Sequence, residues 1–279
     1  MNFWKLKYKI ESYLNFFNKI TIKDVSFYRV DAVNYAELKV DAQDIQEAEK
    51  QGEMKLQDVL SAMEFTLNER INFHVMDIQQ EKGDGKSQFY GASNLASAVA
   101  VRVPFPETEL ENINDIFTGI NNSNNIGTIA YQSYLKGIEV GEWYNEAFLN
   151  FFKAIEVIAN TYLEAGKREK EISSEENLKS LVKDLEDYVK HKEDNLDKLK
   201  KICTNIHSLG FIELKMKIDI ALMDLGLSEY SKEANKLVNF RNKFVAHGSS
   251  NKIIKIQELE KCKSISKMMI KKYIEKNHT

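Results

Sequence analysis

An arginine, an amide and a histidine cluster near the C-terminal end of this 279-residue chain, in residues 237–249, LVNFRNKFVAHGS. Arg241 offers a permanent planar charge that can grip a phosphate through two donors. His247, in the last turn of an apolar helix, would feel the negative end of the helix dipole, which favours its protonated form by roughly 0.3–1 kcal/mol. From an ordinary pKa of about 6.5, that keeps both protonation states available near neutrality, as acid–base work on a phosphodiester requires. Asn242 is placed to hold the phosphate or the histidine. Arg241 and His247 are six positions apart, about 120° out of register on an ideal helix. They meet on one phosphate only if the helix unwinds at its end, or if a second subunit completes the site.

The element that must position them is a helix from about Lys232, with Ala234, Leu237, Val238, Arg241, Phe244 and Val245 at three- and four-residue spacings. Gly248 suits the left-handed conformation that ends helices, and Ser249 and Ser250 continue as loop. Five arginines and five histidines make about 0.3 such pairings expected by composition alone. Context therefore carries the assignment: Asn242 after the arginine, Ala246 before the histidine and Gly248 after it. A histidine that merely caps a helix is the alternative.

Composition bounds the rest. With 43% hydrophobic and 29% charged residues the chain reads as globular, large enough for one big or two modest domains. A net charge of −3 gives no global basic field, so any nucleic-acid contact must be a local patch. Cys203 and Cys262 stand far apart with no CxxC, which fits a reducing cytosol and a cytoplasmic location. Lys5, Lys7, Lys9 and Glu11 interrupt the apolar run of residues 1–20, which reads as a first helix or strand, neither signal peptide nor membrane span. No cofactor-binding or metal-ligand pattern is found, and His191 and His207 have no ligand partners at useful spacing.

Residues 1–125 read as an α+β domain. Val25–Val40 predicts one or two strands, polar Lys39–Gln51 a helix or loop, Lys55–Glu69 a helix, and residues 71–79 a strand with Arg70, Asn72 and His74 on its polar face. Residues 81–87, EKGDGKS, end like a phosphate-binding loop, but Gln80 stands where its first glycine is needed, so a turn is expected. Ala98–Val103 predicts a further strand ended by Pro104 and Pro106, and Leu110–Ile120 a short helix. The polar run Asn121–Asn125 marks the boundary.

Residues 126–279 read as an all-helical bundle. Ile129–Val140 and Trp143–Ala165 are expected helices, the second with Phe148, Phe151, Phe152, Ile155, Ile158, Ala159 and Tyr162 on one apolar face and Glu156 on its flank. Lys167–Lys201 has heptad-like spacing and reads as a solvent-facing helical pair. Phe211–Met223 supplies a further helix. Lys252–Lys276 closes the chain, with Ile256, Leu259, Ile265, Met269 and Tyr273 as core positions. Lys263, Lys267 and Lys271 recur every four residues on one face, which suits an RNA backbone or simply a solvated surface.

The Arg241-Asn242-x4-His247 pattern resembles the arginine–histidine motif of the HEPN ribonuclease superfamily. The run 147–160, AFLNFFKAIEVIAN, resembles the aromatic–aliphatic helix with an embedded glutamate of its ApeA-like branch. The two motifs lie in residues 127–279, about half the chain. The resemblance implies a metal-independent, cofactor-free endoribonuclease working as a homodimer with a composite site. His247 would be the general acid/base, Arg241 the transition-state stabiliser, Asn242 a positioning group and Glu156 an orienting partner of the arginine. Lys243, Lys263, Lys267 and Lys271 would contact RNA. Implied too are a role as a toxin-like effector of bacterial antiviral abortive infection and, for the first domain, sensing of a phage-derived trigger or regulatory protein. Ser249 replaces the tyrosine that follows the motif in one branch of the superfamily, which speaks against regulation by modification there. HEPN-like bundles also serve as non-catalytic dimerisation or partner-binding modules, the competing expectation.

Overall fold

A computed structural model of the chain describes residues 2–81, 87–89, 103–162, 214–247 and 254–277, with the backbone alone at 87–89 and 243–247. It divides into two compact units, Met1–Ser123 with Leu135–Gly141, and Asn124–Tyr134 with Glu142–Asn277. The first is a sheet with helices, and the second is helical wherever it carries regular structure among the described residues.

The first unit is organised around β1 (Phe3–Glu11), whose period-two pattern buries Trp4, Leu6, Tyr8 and Ile10 and turns Lys5, Lys7 and Lys9 to the other face. With β3 (Ile20–Ile22), β4 (Val25–Val30), β5 (Val33–Asp41), β6 (Asn72–Gln80) and β7 (Ser87–Phe89) it forms an antiparallel sheet of order β3-β4-β5-β1-β6-β7. The connections β3–β4 and β4–β5 are two-residue turns with both central residues left-handed: Lys23 (φ 44°) and Asp24 (φ 67°), then Asp31 (φ 47°) and Ala32 (φ 66°). Such turns match the twist of the flanking strands. On β6 the pairing steps from Lys7↔Asp77 to Tyr8↔Val75, so Met76 is an extra residue. The bulge lets Val75 and Ile78, three positions apart, face the same side.

The apolar face is covered by α1 (Ile45–Leu67), which packs on β1, β5 and β6 and on α2 (Leu110–Asn121). This helix starts ten residues before the expected Lys55. Asp44 accepts from the Glu47 amide at 2.8 Å, and Glu47 accepts from the Gln43 amide at 2.8 Å, a reciprocal cap that the polar composition of this stretch disguised. Gly52 is where α1 meets the sheet. A Cβ there would lie 2.6 Å from Leu6 Cδ2 and from the Tyr8 hydroxyl, both side chains fully buried.

At the sheet's end β2 (Leu14–Asn15) pairs in parallel with β8 (Val103–Pro104). Pro104 is the last residue of this strand, which it was expected to end. The donors that bind β2 are the amides of Val103, to Tyr13, and Phe105, to Asn15, so the proline's missing N–H costs nothing. The expected turn at 82–86 and the strand at 98–102 lie outside the described residues.

The second unit contains α4 (residues 144–162), α5 (Leu214–Asp224), α6 (Ser231–His247) and α7 (Ile256–Lys276), while α3 (Asn125–Glu139) runs through its first ten residues. Asn124, in the polar run read above as the boundary, caps α3 by accepting from the amides of Ile126 and Gly127, and its Nδ2 donates to the Tyr273 hydroxyl at 2.9 Å. The core is aromatic and aliphatic: Tyr134 against Phe151 at 5.0 Å between centroids, with Phe148, Phe152, Ile155, Ile158 and Ala159 fully buried on α4. From α7 it takes Leu259, Cys262, Ile265, Met269 and Tyr273. Ile256, expected in the core, is 55% exposed because it opens α7, a turn short of its packed face. Trp143 likewise precedes α4 and is exposed. The expected helical pair at 167–201, with His191, and His207 beyond it, lie outside the described residues.

Between α5 and α6 the chain reverses through a Schellman arrangement. Leu227 donates to the Leu222 carbonyl at 2.7 Å, Gly226 donates to that of Met223 at 3.1 Å, and Gly226 has φ 70°. A single 3-10 turn, Ser228–Tyr230, leads straight into α6. This short connection makes α5 and α6 an antiparallel hairpin.

Two substitutions test this packing by thermal or denaturant unfolding. Gly52→Val, which forces a branched side chain onto Leu6 and Tyr8, is expected to lower the unfolding free energy by about 2–3 kcal/mol. Ala32→Gly, which relieves a left-handed residue in a tight hairpin, is expected to raise it by about 0.5–1 kcal/mol.

Candidate functional site

The α5–α6 hairpin and α4 bring together the polar side chains of the second unit. Asn235 on α6 donates its amide to both carboxylate oxygens of Asp219 on α5, at 3.1 and 3.0 Å, which fixes the register of the hairpin. Two turns further along α6, Arg241 reaches α4: its Nη2 lies 3.1 Å from Oε1 of Glu156. Its Nη1 donates to Oδ1 of the neighbouring Asn242 at 3.3 Å. The guanidinium is thus held by a carboxylate on one helix and an amide on its own. One turn on from Glu156 along α4, Asn160 accepts from Nζ of Lys217 on α5 at 3.3 Å.

Glu156 therefore lies near two cations, Arg241 and Lys217, yet burial pushes its carboxyl above its ordinary value and outweighs both. Its side chain is 24% exposed, which separates it from the solvent that would otherwise stabilise its charge. The pair does not strengthen the fold at neutral pH. Its effect is to hold the guanidinium at one place, and removing only one partner would leave the other partly desolvated.

Arg241, Asn242 and Glu156, taken from the sequence as members of one site, thus lie together. His247 is the last residue of α6, and Lys243 lies on the same helix, but the side chains of both are outside the described residues, as are Gly248 and Ser249. On α7, Lys263 and Lys267 are half-buried and Lys271 is exposed. The contacts gathered at Arg241 come from α4 and α6, and α5 adds Lys217 at the neighbouring Asn160. Sequence reasoning missed Lys217, Asn160, Asp219 and Asn235. The signal available was spacing: Asn160 falls four residues after Glu156 and Asn235 seven before Asn242, each on the same helix face as its partner.

Among the described residues, no three histidine, cysteine, aspartate or glutamate side chains are grouped to hold a metal ion, and no helix is long and apolar enough to cross a membrane. Comparison with known families, with characterised proteins and with solved structures gave no match.

Glu156 makes a pH prediction with a definite sign. A carboxyl raised in the folded state binds its proton more tightly there than in the unfolded chain. Its contribution to stability is therefore full in acid, below the unfolded value, and is lost as pH rises through the folded one. Unfolding measured from about pH 4 to about pH 7 should show wild type losing stability relative to Glu156→Gln as pH rises. The opposite slope would mean that attraction to Arg241 exceeds the burial cost.

Proposed function

We propose that residues 126–279 form a HEPN-like bundle that cuts RNA without a metal ion, in a homodimer whose two arginine–histidine motifs complete one site. The supporting observation is the Glu156–Arg241 contact: the two resembling motifs lie about ninety residues apart and meet at an ion pair of 3.1 Å. A fixed guanidinium on the helix that ends in His247 suits stabilisation of charge developing on a phosphate.

In this reading the ribose 2′-hydroxyl is the nucleophile. His247 takes its proton as the O2′–P bond forms, Arg241 neutralises the charge on the non-bridging oxygens, and the P–O5′ bond breaks. The leaving oxygen is protonated by a histidinium, His247 of the same or of the second subunit. Asn242, which already orients Arg241, positions the scissile phosphate, and Lys243, Lys263, Lys267 and Lys271 contact the flanking strand. The products are a 2′,3′-cyclic phosphate and a 5′-hydroxyl, and DNA, without a 2′-hydroxyl, is spared. The 120° offset between Arg241 and His247 on one helix favours a site completed by a second copy. Residues 1–125 would sense an infection signal or restrain the nuclease, in a cytoplasmic effector of abortive infection.

Incubation of bacterial RNA with the purified chain in EDTA is expected to give cyclic-phosphate ends, with His247→Ala and Arg241→Ala each slower by roughly 10²–10⁴-fold. Cleavage that requires added metal ions, or that survives His247→Ala at full rate, rules out this mechanism. Should residues 127–279 be harmless on expression while the chain binds a protein partner equally well with His247→Ala, the non-catalytic module reading replaces it.

A further inference from the structure

The cluster around Glu156 holds a second cation that the arginine–histidine motif does not include. Lys217 lies on α5, tied to Asn160, while Arg241 lies on α6, tied to Glu156. Glu156 and Asn160 are four residues apart on α4, so the two cations are anchored one turn apart, roughly 6 Å along that helix. The hairpin register gives the same spacing independently. Asp219 faces Asn235, so in an antiparallel pair Lys217 falls opposite about Leu237, one turn from Arg241.

The charges at this place are unequal. Among the described residues, the two cations Lys217 and Arg241 act on one carboxylate, Glu156, which burial disposes toward its neutral form. Asp219, the other acid on this part of α5, has both oxygens engaged by Asn235. The neutral amides Asn160 and Asn242 complete the surround. Such a set attracts a polyanion at two points, and Lys217, half-buried and held by an amide instead of a carboxylate, keeps its charge uncancelled by a direct ion pair with Glu156 or Asp219.

We infer that Lys217 is a backbone-binding residue of this site: it holds a phosphate of a single RNA strand next to the phosphate held by Arg241. The inference rests on the nuclease reading for the choice of polyanion, and it extends that site to α5. Lys217 is not assigned to the chemical step. As a compact point charge it contributes through counterion release and is indifferent to base identity.

The test is equilibrium binding of a fluorescent single-stranded RNA of about 20 nucleotides by the full chain carrying His247→Ala, so that nothing is cut, across roughly 50–200 mM salt. Adding Lys217→Ala is expected to weaken binding about five- to tenfold at the lowest salt and to make the slope of log Kd against log salt shallower by about 0.7. Lys217→Arg should restore both, and Lys232→Ala, at the exposed start of α6, should change neither. A lower melting temperature with an unchanged salt slope would assign Lys217 a purely structural tie to Asn160 and overturn the inference. Equal affinity and slope with and without Lys217→Ala would overturn it too, leaving the nuclease reading intact if wild type cuts RNA. If the parent chain does not bind RNA and wild type does not cut it, the nuclease reading fails and takes this inference with it.

Discussion

The polar cluster of the second unit depends on how a guanidinium only partly shielded from solvent is kept in place. An arginine head carries five donors and a charge that is never lost, so a protein that places it between helices must supply acceptors there. Glu156 does so from the flank of the most apolar helix in the unit, at a cost to its own ionisation. An exposed pair would be worth little and would leave the arginine free to sample rotamers. A fully buried one would need more partners than three helices offer. The intermediate arrangement trades stability for position, as is common where charge has to be presented and not just accommodated.

The first unit faces a different constraint. A six-stranded sheet with one apolar face needs a cover, and α1 supplies it by closing to within a side chain's thickness of β1 at Gly52. The opposite face is polar but not idle: Lys5 pairs with Glu37, Lys9 with Glu11, and Lys7 lies 4.1 Å from the centre of the Tyr35 ring. The Lys5 and Lys7 contacts cross from β1 to β5, where opposite charges and cation–aromatic pairs stabilise the chosen register over its slipped alternatives, while Lys9 and Glu11 pair along β1 itself.

Much of this was legible before any coordinates. Alternation gave β4 and β5 as the one or two strands expected, and the pattern of α4 named its buried residues in advance, because a period of two or 3.6 survives single-residue reading. Glu156 and Arg241 were each singled out by their local setting. Their meeting was expected only through the family resemblance, since a contact across 85 positions leaves no periodic trace in one sequence. The start of α1 was left open between helix and loop because its first ten residues are polar and partly solvent-facing, although Asp44 and Glu47 carry the spacing of a reciprocal cap. The bulge at Met76 hid in a similar way: an inserted residue changes the phase of the pattern midway, and Met fits either face. The division between the two units falls within Asn121–Asn125, where the polar run placed it, but the run is not simply a break. Asparagine both breaks helices and begins them, and Asn124 does the latter.

The parallel pair at the end of the sheet has a consequence for how the chain is made. Leu14 is matched with Val103, so the residues of β2 wait for a partner nearly ninety residues later in the chain. By then the local hairpins β3–β4 and β4–β5 and the β1–β5 pairing have all their residues available, and α1 can cover them. Phe16, stacked between Phe27 and Phe105 at 5.3 and 5.4 Å, has only the first of these neighbours until the last is translated. A ribosome-bound chain shorter than this therefore carries a half-closed aromatic cluster at one end of its sheet, a surface that chaperones, or another nascent copy, would meet before the finished fold conceals it.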